Sequence, residues 1–241
     1  RSVVAVPEGL DVGDIDLADT DILIQGVAST AGQYAQSRFR YLISRWIKRT
    51  MDLAVSSVGL AVNLPVLLLV AAAIKLTSPG PVFFRQRRCG RGGREFSLVK
   101  FRTMVKDAER MQAQLRPLNE VDGPVFKMEN DPRSTPLGRL LRRYSIDEVP
   151  QLWNVWKGEM SLVGPRPLAA REMKFCPAWR DARLKVRPGI TGLWQVGGRS
   201  KTSFHDWIRL DIEYVRERST LLDLKILLKT LLVVVRGLGS Y

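Results

Sequence analysis

The chain has one histidine, His205, and two cysteines, Cys89 and Cys176, among its 241 residues. A zinc site of Cys and His ligands needs about four such side chains grouped by short spacings, and these three are scattered, so that class is excluded. The lone histidine also removes most Ser-His, Cys-His and two-histidine metal arrangements, unless His205 is the residue on which each turns. If the chain catalyses a reaction, carboxylates do the work. A disulfide is not expected in a cytosol-facing domain. The start lacks a charged-then-apolar signal pattern and opens on Arg1 rather than Met, which reads as a fragment with sequence missing upstream.

Acidic charge is scarce as well: 38 Lys and Arg against 24 Asp and Glu leave 38 − 24 = +14. That balance asks for an anionic partner, whether nucleic acid, an anionic membrane surface or a phosphorylated substrate, and composition does not choose among them. The length suits one domain with a real core plus an appendage.

Charge disappears almost entirely from Met51 to Ile74, where Asp52 stands at the very edge. Roughly 20 such residues are enough for a membrane helix, and a buried soluble helix seldom runs so far without charge. Before it, Arg38 to Arg49 alternates Phe39, Tyr41, Leu42, Trp46 and Ile47 with arginine and lysine, as a helix lying on an anionic surface does. Positive charge flanks both ends, so both ends prefer the cytosol. Pro65 removes a backbone bond mid-segment and Asn63 can satisfy freed groups. A segment that enters one leaflet, turns at Asn63-Leu64-Pro65 and returns meets these requirements; a straight crossing violates one of them.

Three divisions follow: an acidic lead-in over 1–37, read as the last strand and turn of a preceding domain; a basic amphipathic and re-entrant segment over 38–76; and a cytosolic domain over 77–241. In the last, Val82–Arg88 and Arg94–Arg102 read as strands joined by Cys89-Gly90-Arg91-Gly92-Gly93. That loop lacks the Lys-Ser/Thr ending of a P-loop and reads as a hairpin turn. Thr103–Leu115, Trp207–Arg216 and Leu221–Val235 have helical spacing; the last is either interfacial or an ordinary core helix.

The densest chemistry lies between Lys127 and Leu168. Asp147 and Glu148 follow Arg139, Arg142 and Arg143 and precede an apolar helical pattern that ends at Lys157-Gly158. Ser145-Ile146-Asp147-Glu148 fits a capping box, in which the acids serve only the helix end. The same placement suits an anionic substrate with a divalent cation, the helix end keeping the acids ionised. Val163-Gly164-Pro165-Arg166-Pro167 is a rigid turn presenting one arginine, and arginine recurs in turns at Arg187-Pro188-Gly189 and Gly197-Gly198-Arg199.

Taken together, Lys100-Phe101-Arg102-Thr103-Met104, Asn130-Asp131-Pro132-Arg133, Leu137-Gly138-Arg139, Ser145 to Leu152, Met160 to Pro167, Arg187 to Gly192 and Asp223 to Leu227 resemble the bacterial monotopic phosphoglycosyl transferases, over about residues 38–241. These initiate exopolysaccharide, capsule and O-antigen synthesis. The resemblance implies a mainly helical α+β chain: a membrane-embedded re-entrant helical hairpin plus a small cytosolic catalytic domain with a short β-hairpin and interfacial helices, on the cytosolic face of the bacterial inner membrane.

It further implies transfer of a sugar phosphate, a hexose such as glucose or galactose, from a UDP-sugar to polyprenyl (undecaprenyl) phosphate, releasing UMP. By that likeness Asp147 is the nucleophile of a ping-pong reaction through an aspartyl-phosphosugar, and Glu148 with Asp147 holds Mg²⁺. Arg166 between Pro165 and Pro167 contacts the diphosphate, Asp211 matches a further family carboxylate, and Lys100, Arg142 and Arg187 match basic positions for phosphate binding or ion pairs. The family's apolar hairpin usually breaks at Ser-Pro, where this chain has Leu64-Pro65. The implied partners are membrane lipid and the two substrates, with room for a homodimer and no nucleic acid. The competing reading is a non-enzymatic basic protein whose carboxylates are only caps, which explains the charge but not the apolar segment and the two motifs together.

Overall fold

The computed structural model describes residues 17–174, 177–197 and 203–236, with side chains throughout except at 17–42, 174, 177 and 178. Cys176, Arg199 and residues 1–16 lie outside the described residues. The chain forms two compact units, 1–46 and 47–241. Among the described residues the fold is mainly helical with two small pairs of strands.

Helix α1 covers Leu17–Thr77. The strand expected before residue 38 is therefore helix from Leu17 onward: Ile22-Leu23-Ile24 is a short run, and the alanine-rich sequence after it favours helix more than strand. Its portion Ile43–Thr77 is long and apolar enough to cross a membrane. Backbone helix continues through Asn63-Leu64-Pro65, so no loop separates two helices there. Asn63 donates from Nδ2 to the Gly59 carbonyl at 2.8 Å, a turn earlier, and not to the Ala61 carbonyl that Pro65 leaves without its helical donor.

Both flanks of that proline pack on the same body. On one side Asp52 and Ser56 are buried, and Asp52 Oδ1 accepts from Ser161 Oγ and the Leu162 amide, both at 3.0 Å. On the other, Ile74 is buried with Phe101 and Leu141, and Leu67, Val70 and Ala71 pack around them. Val58, Val62, Leu64, Leu68 and Leu69 between the two contacts stay exposed, an apolar surface with no protein cover.

Strands β1 (Phe83–Cys89) and β2 (Glu95–Phe101) form the expected antiparallel hairpin, in register Phe83↔Phe101 to Cys89↔Glu95. Alternation divides β2 between two cores. Phe96 and Leu98 face Val155, Met160, Leu162, Val163, Tyr214 and Ile226, whereas Phe101 joins Ile74 and Leu141.

The helix read from Thr103 begins only at Ala108: α2 is Ala108–Leu115, because Met104 is bridged to Ser134 and Asp107 turns with a positive φ of 66°. Helices α3 (Pro136–Arg143) and α4 (Leu152–Lys157) flank a 3₁₀ turn over Ile146–Gln151. Gly158 ends α4 at φ 82°, a left-handed C-cap that glycine adopts without penalty.

Strand β3 (Ser161–Val163) pairs in parallel with β4 (Gly189–Thr191), and α5 (Pro177–Arg183) lies between them in sequence. Helices α6 (Leu193–Gly197), α7 (Phe204–Glu217) and α8 (Thr220–Val235) complete the unit. The faces of α8 differ: Asp223 and Ile226 are buried, as in a core helix, while Leu221, Leu224, Leu228, Leu231, Leu232 and Val235 are exposed.

A buried polar knot ties α1 to this end. Lys48 Nζ donates to Asp223 Oδ2 at 2.6 Å and to the Val163 carbonyl at 3.1 Å, and the Tyr214 hydroxyl donates to Asp223 Oδ1 at 2.8 Å. It offsets the cost of burying Asp223 by giving both its oxygens a donor.

Candidate active site

Two chain segments converge on one another through the 3₁₀ turn and the end of β3. Thr135 caps α3 by accepting from the Gly138 amide at 2.9 Å, and Pro136 suits the first helical position. The helix then delivers Arg142, whose Nε donates to Thr103 Oγ1 at 2.9 Å.

Immediately beyond, Ser145 takes a left-handed conformation (φ 55°) and its side chain caps nothing. The capping box is thus not formed: with Ser145 folded this way its hydroxyl does not reach the turn's amides, and Ile146–Gln151 winds as 3₁₀ rather than α-helix. Pro150 inside the segment removes one of the donors an α-helix needs.

That turn places Asp147 deep, 5% exposed, with Glu148 nearer the surface. Arg166 Nη1 meets Glu148 Oε1 at 3.1 Å, and its guanidinium lies 5.9 Å from the Trp194 ring centroid. Lys100, at the end of β2, stands over the ring of its cross-strand partner Phe84 at 5.4 Å.

The electrostatics tie these groups into one cluster. Burial pushes the Asp147 carboxyl up to about 6, the Glu148 charge adds to the rise, and Lys100, Arg142 and Arg166 pull the other way. The ionising field expected from a helix end therefore loses to desolvation at Asp147. Burial likewise lowers Lys100 to about 8, with Asp147 opposing the fall. Three cations around two carboxylates form a site able to receive a diphosphate while keeping an anionic oxygen in reach.

Asp211 and Arg187 are placed elsewhere. Asp211, 1% exposed, accepts from Arg183 at 2.7 Å, and burial pushes it up to about 6 against that partner. Arg187 Nη2 points toward Gly158 at the C-terminal end of α4. His205 is exposed on α7.

Among the described residues no group of three or more His, Cys, Asp or Glu could hold a metal. The two adjacent carboxylates nevertheless fit Mg²⁺: both are hard oxygen donors, and no hydrogen bond is among the interactions that set the charge state of Asp147, which leaves its oxygens unspent. An ion that keeps several waters and binds substrate oxygens asks for no more than one or two carboxylates.

Sequence reasoning did not single out Arg88, Thr103 or Arg183, the side chains that hold Arg142 and the Arg166 turn. Thr103 falls inside the Lys100–Met104 motif, but nothing local gives any of the three its role, since their partners come from distant parts of the chain.

A carboxylate pair set among cations, in a chain that also carries a helix long and apolar enough to cross a membrane, suits an enzyme acting on an anionic substrate, and comparison with known proteins gives the family. The family model described as bacterial sugar transferase matches residues 43–237, and the chain belongs to that family. It is 42% identical over 204 residues to the galactosyl transferase CpsE of Streptococcus agalactiae, covering 84% of this chain and 44% of that protein. With the exopolysaccharide production protein ExoY of Rhizobium meliloti it shares 39% identity over 198 residues, 80% of this chain and 88% of ExoY. With the UDP-glucose:undecaprenyl-phosphate glucose-1-phosphate transferase of Caulobacter vibrioides it shares 43% over 193 residues, 76% and 67% of the two chains. The chain thus spans less than half of CpsE but most of ExoY.

Proposed function

We propose that this protein transfers a hexose 1-phosphate from a UDP-sugar to undecaprenyl phosphate at the cytosolic face of the bacterial inner membrane. The observation that carries the reading is the Asp147–Glu148 pair enclosed by Lys100, Arg142 and Arg166. The names of the relatives support the substrate class, one specifying UDP-glucose and the lipid phosphate together.

In the first half-reaction a carboxylate oxygen of Asp147 attacks the sugar-bearing phosphorus. The bond from that phosphorus to the bridging oxygen breaks, and UMP leaves with the electron pair. In the second, a phosphate oxygen of the lipid attacks the same phosphorus and the Asp147 carboxylate departs, giving undecaprenyl-diphospho-sugar. Each step exchanges one oxygen partner of phosphorus for another, so the kinetics are ping-pong.

Arg166 and Lys100 orient the diphosphate and neutralise the charge that develops on the leaving phosphate. Glu148, with Asp147, would hold Mg²⁺, which when bound screens the anionic nucleophile from the diphosphate. Glu148 is fixed for that task by Arg166.

The apolar part of α1 lies in one leaflet, with both flanks on the cytosolic side. What supports this is that Asp52 and Ile74, on opposite sides of Pro65, are buried against the same cytosolic body. Pro65, inside the helix between them, lacks the N–H of an uninterrupted helix and is where a bend into the leaflet would fall. The exposed leucines of α8 rest on the same membrane face.

The test is UMP release from UDP-glucose or UDP-galactose in detergent with undecaprenyl phosphate. Release that needs Mg²⁺ is expected with at least one of the two donors; no release with any member of a UDP-hexose panel overturns the proposal.

A further inference from the structure

The turn Pro165-Arg166-Pro167 has little means of holding itself. Two of its three residues lack an N–H, so the backbone hydrogen bonds that fix it run mainly through its carbonyls. Every one of them is used. The Pro165 carbonyl accepts from the Gly189 amide at 2.9 Å, that of Arg166 from Arg183 Nη2 at 2.7 Å, that of Pro167 from Arg88 Nη1 at 3.2 Å, and that of Leu168 from the Cys89 amide at 2.9 Å.

The two donors that are side chains come from different elements, and each is backed by a buried carboxylate. Arg183, at the end of α5, is gripped by Asp211 of α7 through both Nε (2.9 Å) and Nη2 (2.7 Å), with side chains 3% and 1% exposed. Arg88, in β1, pairs with Glu172 at 3.0 Å, and the same Glu172 oxygen accepts the Ala169 amide at 2.7 Å, just past the turn. Neither pair touches the Asp147–Glu148 turn. Buried ion pairs of this kind contribute little net stability against apolar replacements, which leaves their donor geometry as the feature they provide.

We infer that Arg183–Asp211 and Arg88–Glu172 are positioning pairs that fix the Pro165–Pro167 backbone so that the Arg166 guanidinium is held on Glu148. This rests on the proposed sugar-phosphate transfer and deepens it: Asp211 acts two steps from the substrate, through Arg183 and the Arg166 carbonyl, and does not touch it. A lysine at 88 or 183 keeps the charge for its carboxylate. With one nitrogen in place of a planar fork, it cannot also hold the loop carbonyl.

The test compares Arg183→Lys and Arg88→Lys in the parent and in an Arg166→Ala background, reading UMP release from UDP-glucose and hydrogen exchange of the Val163–Ala169 peptide. In the parent each substitution lowers kcat by about 10²-fold, as expected for a misplaced orienting group. Exchange at the Gly164 and Ala169 amides quickens while α7 and α8 stay protected. In the Arg166→Ala background each adds no more than about a twofold loss, because the residue through which it acts is gone. Equal losses in both backgrounds, or unchanged exchange in the peptide, overturn the inference. Should Arg183→Lys fail to fold, Arg88→Lys, whose side chain is 20% exposed, decides by the same two readouts. A parent that releases no UMP sinks the functional reading alone, and the exchange comparison then settles the positioning.

Discussion

Glu148 and Arg166 meet at 3.1 Å, joining the 3₁₀ turn after α3 to the turn after β3. The contact does two things at once. It fixes a carboxylate suited to a metal, and it holds an arginine at the edge of a site whose other carboxylate, Asp147, is almost fully buried. Either side chain alone would be a charged group near the surface; together they link the two turns.

The buried position of Asp147 gives a pH dependence with a definite sign. Its carboxyl titrates near 6, raised by burial and by Glu148, and only the ionised form attacks phosphorus. The rate of UMP release should therefore climb as pH rises through about 6 and level off above it. Because the folded state binds this proton more tightly than the unfolded state does, the same group makes the fold less stable as pH rises from the ordinary aspartate range to about 6. A stopped-flow profile of the first half-reaction between pH 5 and 8 checks the rate; a flat profile contradicts the role.

Glu148→Gln removes the charge that helps raise Asp147 and one oxygen of the pair. Turnover should fall by roughly 10²-fold and need more Mg²⁺ for half-maximal rate, comparable to losing one preorganised electrostatic contact. The inflection of the pH profile should also move to lower pH, since the Glu148 charge that helps raise Asp147 is gone. Chelator should abolish the parent's turnover and Mg²⁺ restore it. Full activity in chelator removes the metal from the account.

Gly138 sits where α3 crosses the strand end: a Cβ there would collide with the Thr103 carbonyl. Gly138→Ala should cost roughly 1–3 kcal/mol of stability by overpacking. It should also displace Thr103, whose hydroxyl holds Arg142, so activity falls further than stability explains. Gly197→Ala, with only ordinary contact distance around its Cβ, is the control. Thermal unfolding of the two variants side by side measures the difference.

The topology of α1 is open to labelling. Cysteines at Thr50 and Thr77, both exposed, placed in a background with Cys89 and Cys176 replaced by serine, should both be protected from an impermeant thiol reagent added outside intact cells. Labelling of either one means that the helix crosses.

Much of this was legible in the sequence. The hairpin followed from two β-rich runs around a glycine turn, the apolar segment from its missing charge, and the Asp147–Glu148 and Pro-Arg-Pro motifs from improbable local composition. What escaped was long-range. Ser145 matched a capping box, yet its left-handed backbone denies the cap, and only the packed turn determines that. Asp147 seemed set to stay fully ionised because a helix end was weighed and its burial could not be. The pairing of Asp211 with Arg183 from another helix likewise has no local signal in the sequence. The helix runs on past Pro65 with both its flanks packed on the protein body, and that long-range packing has no period in the sequence.

The central claim is covalent catalysis by Asp147, and the mass of the intact protein tests it most directly. Incubated with Mg²⁺ and UDP-glucose, or UDP-galactose if that is the donor, and with no lipid acceptor, the protein should gain the mass of one hexose phosphate and release UMP. Undecaprenyl phosphate should then remove the adduct. Asp147→Asn, which keeps the size of the side chain, should show neither adduct nor turnover. An active enzyme that never carries the adduct, together with an Asp147→Asn variant that still turns over, would contradict the account.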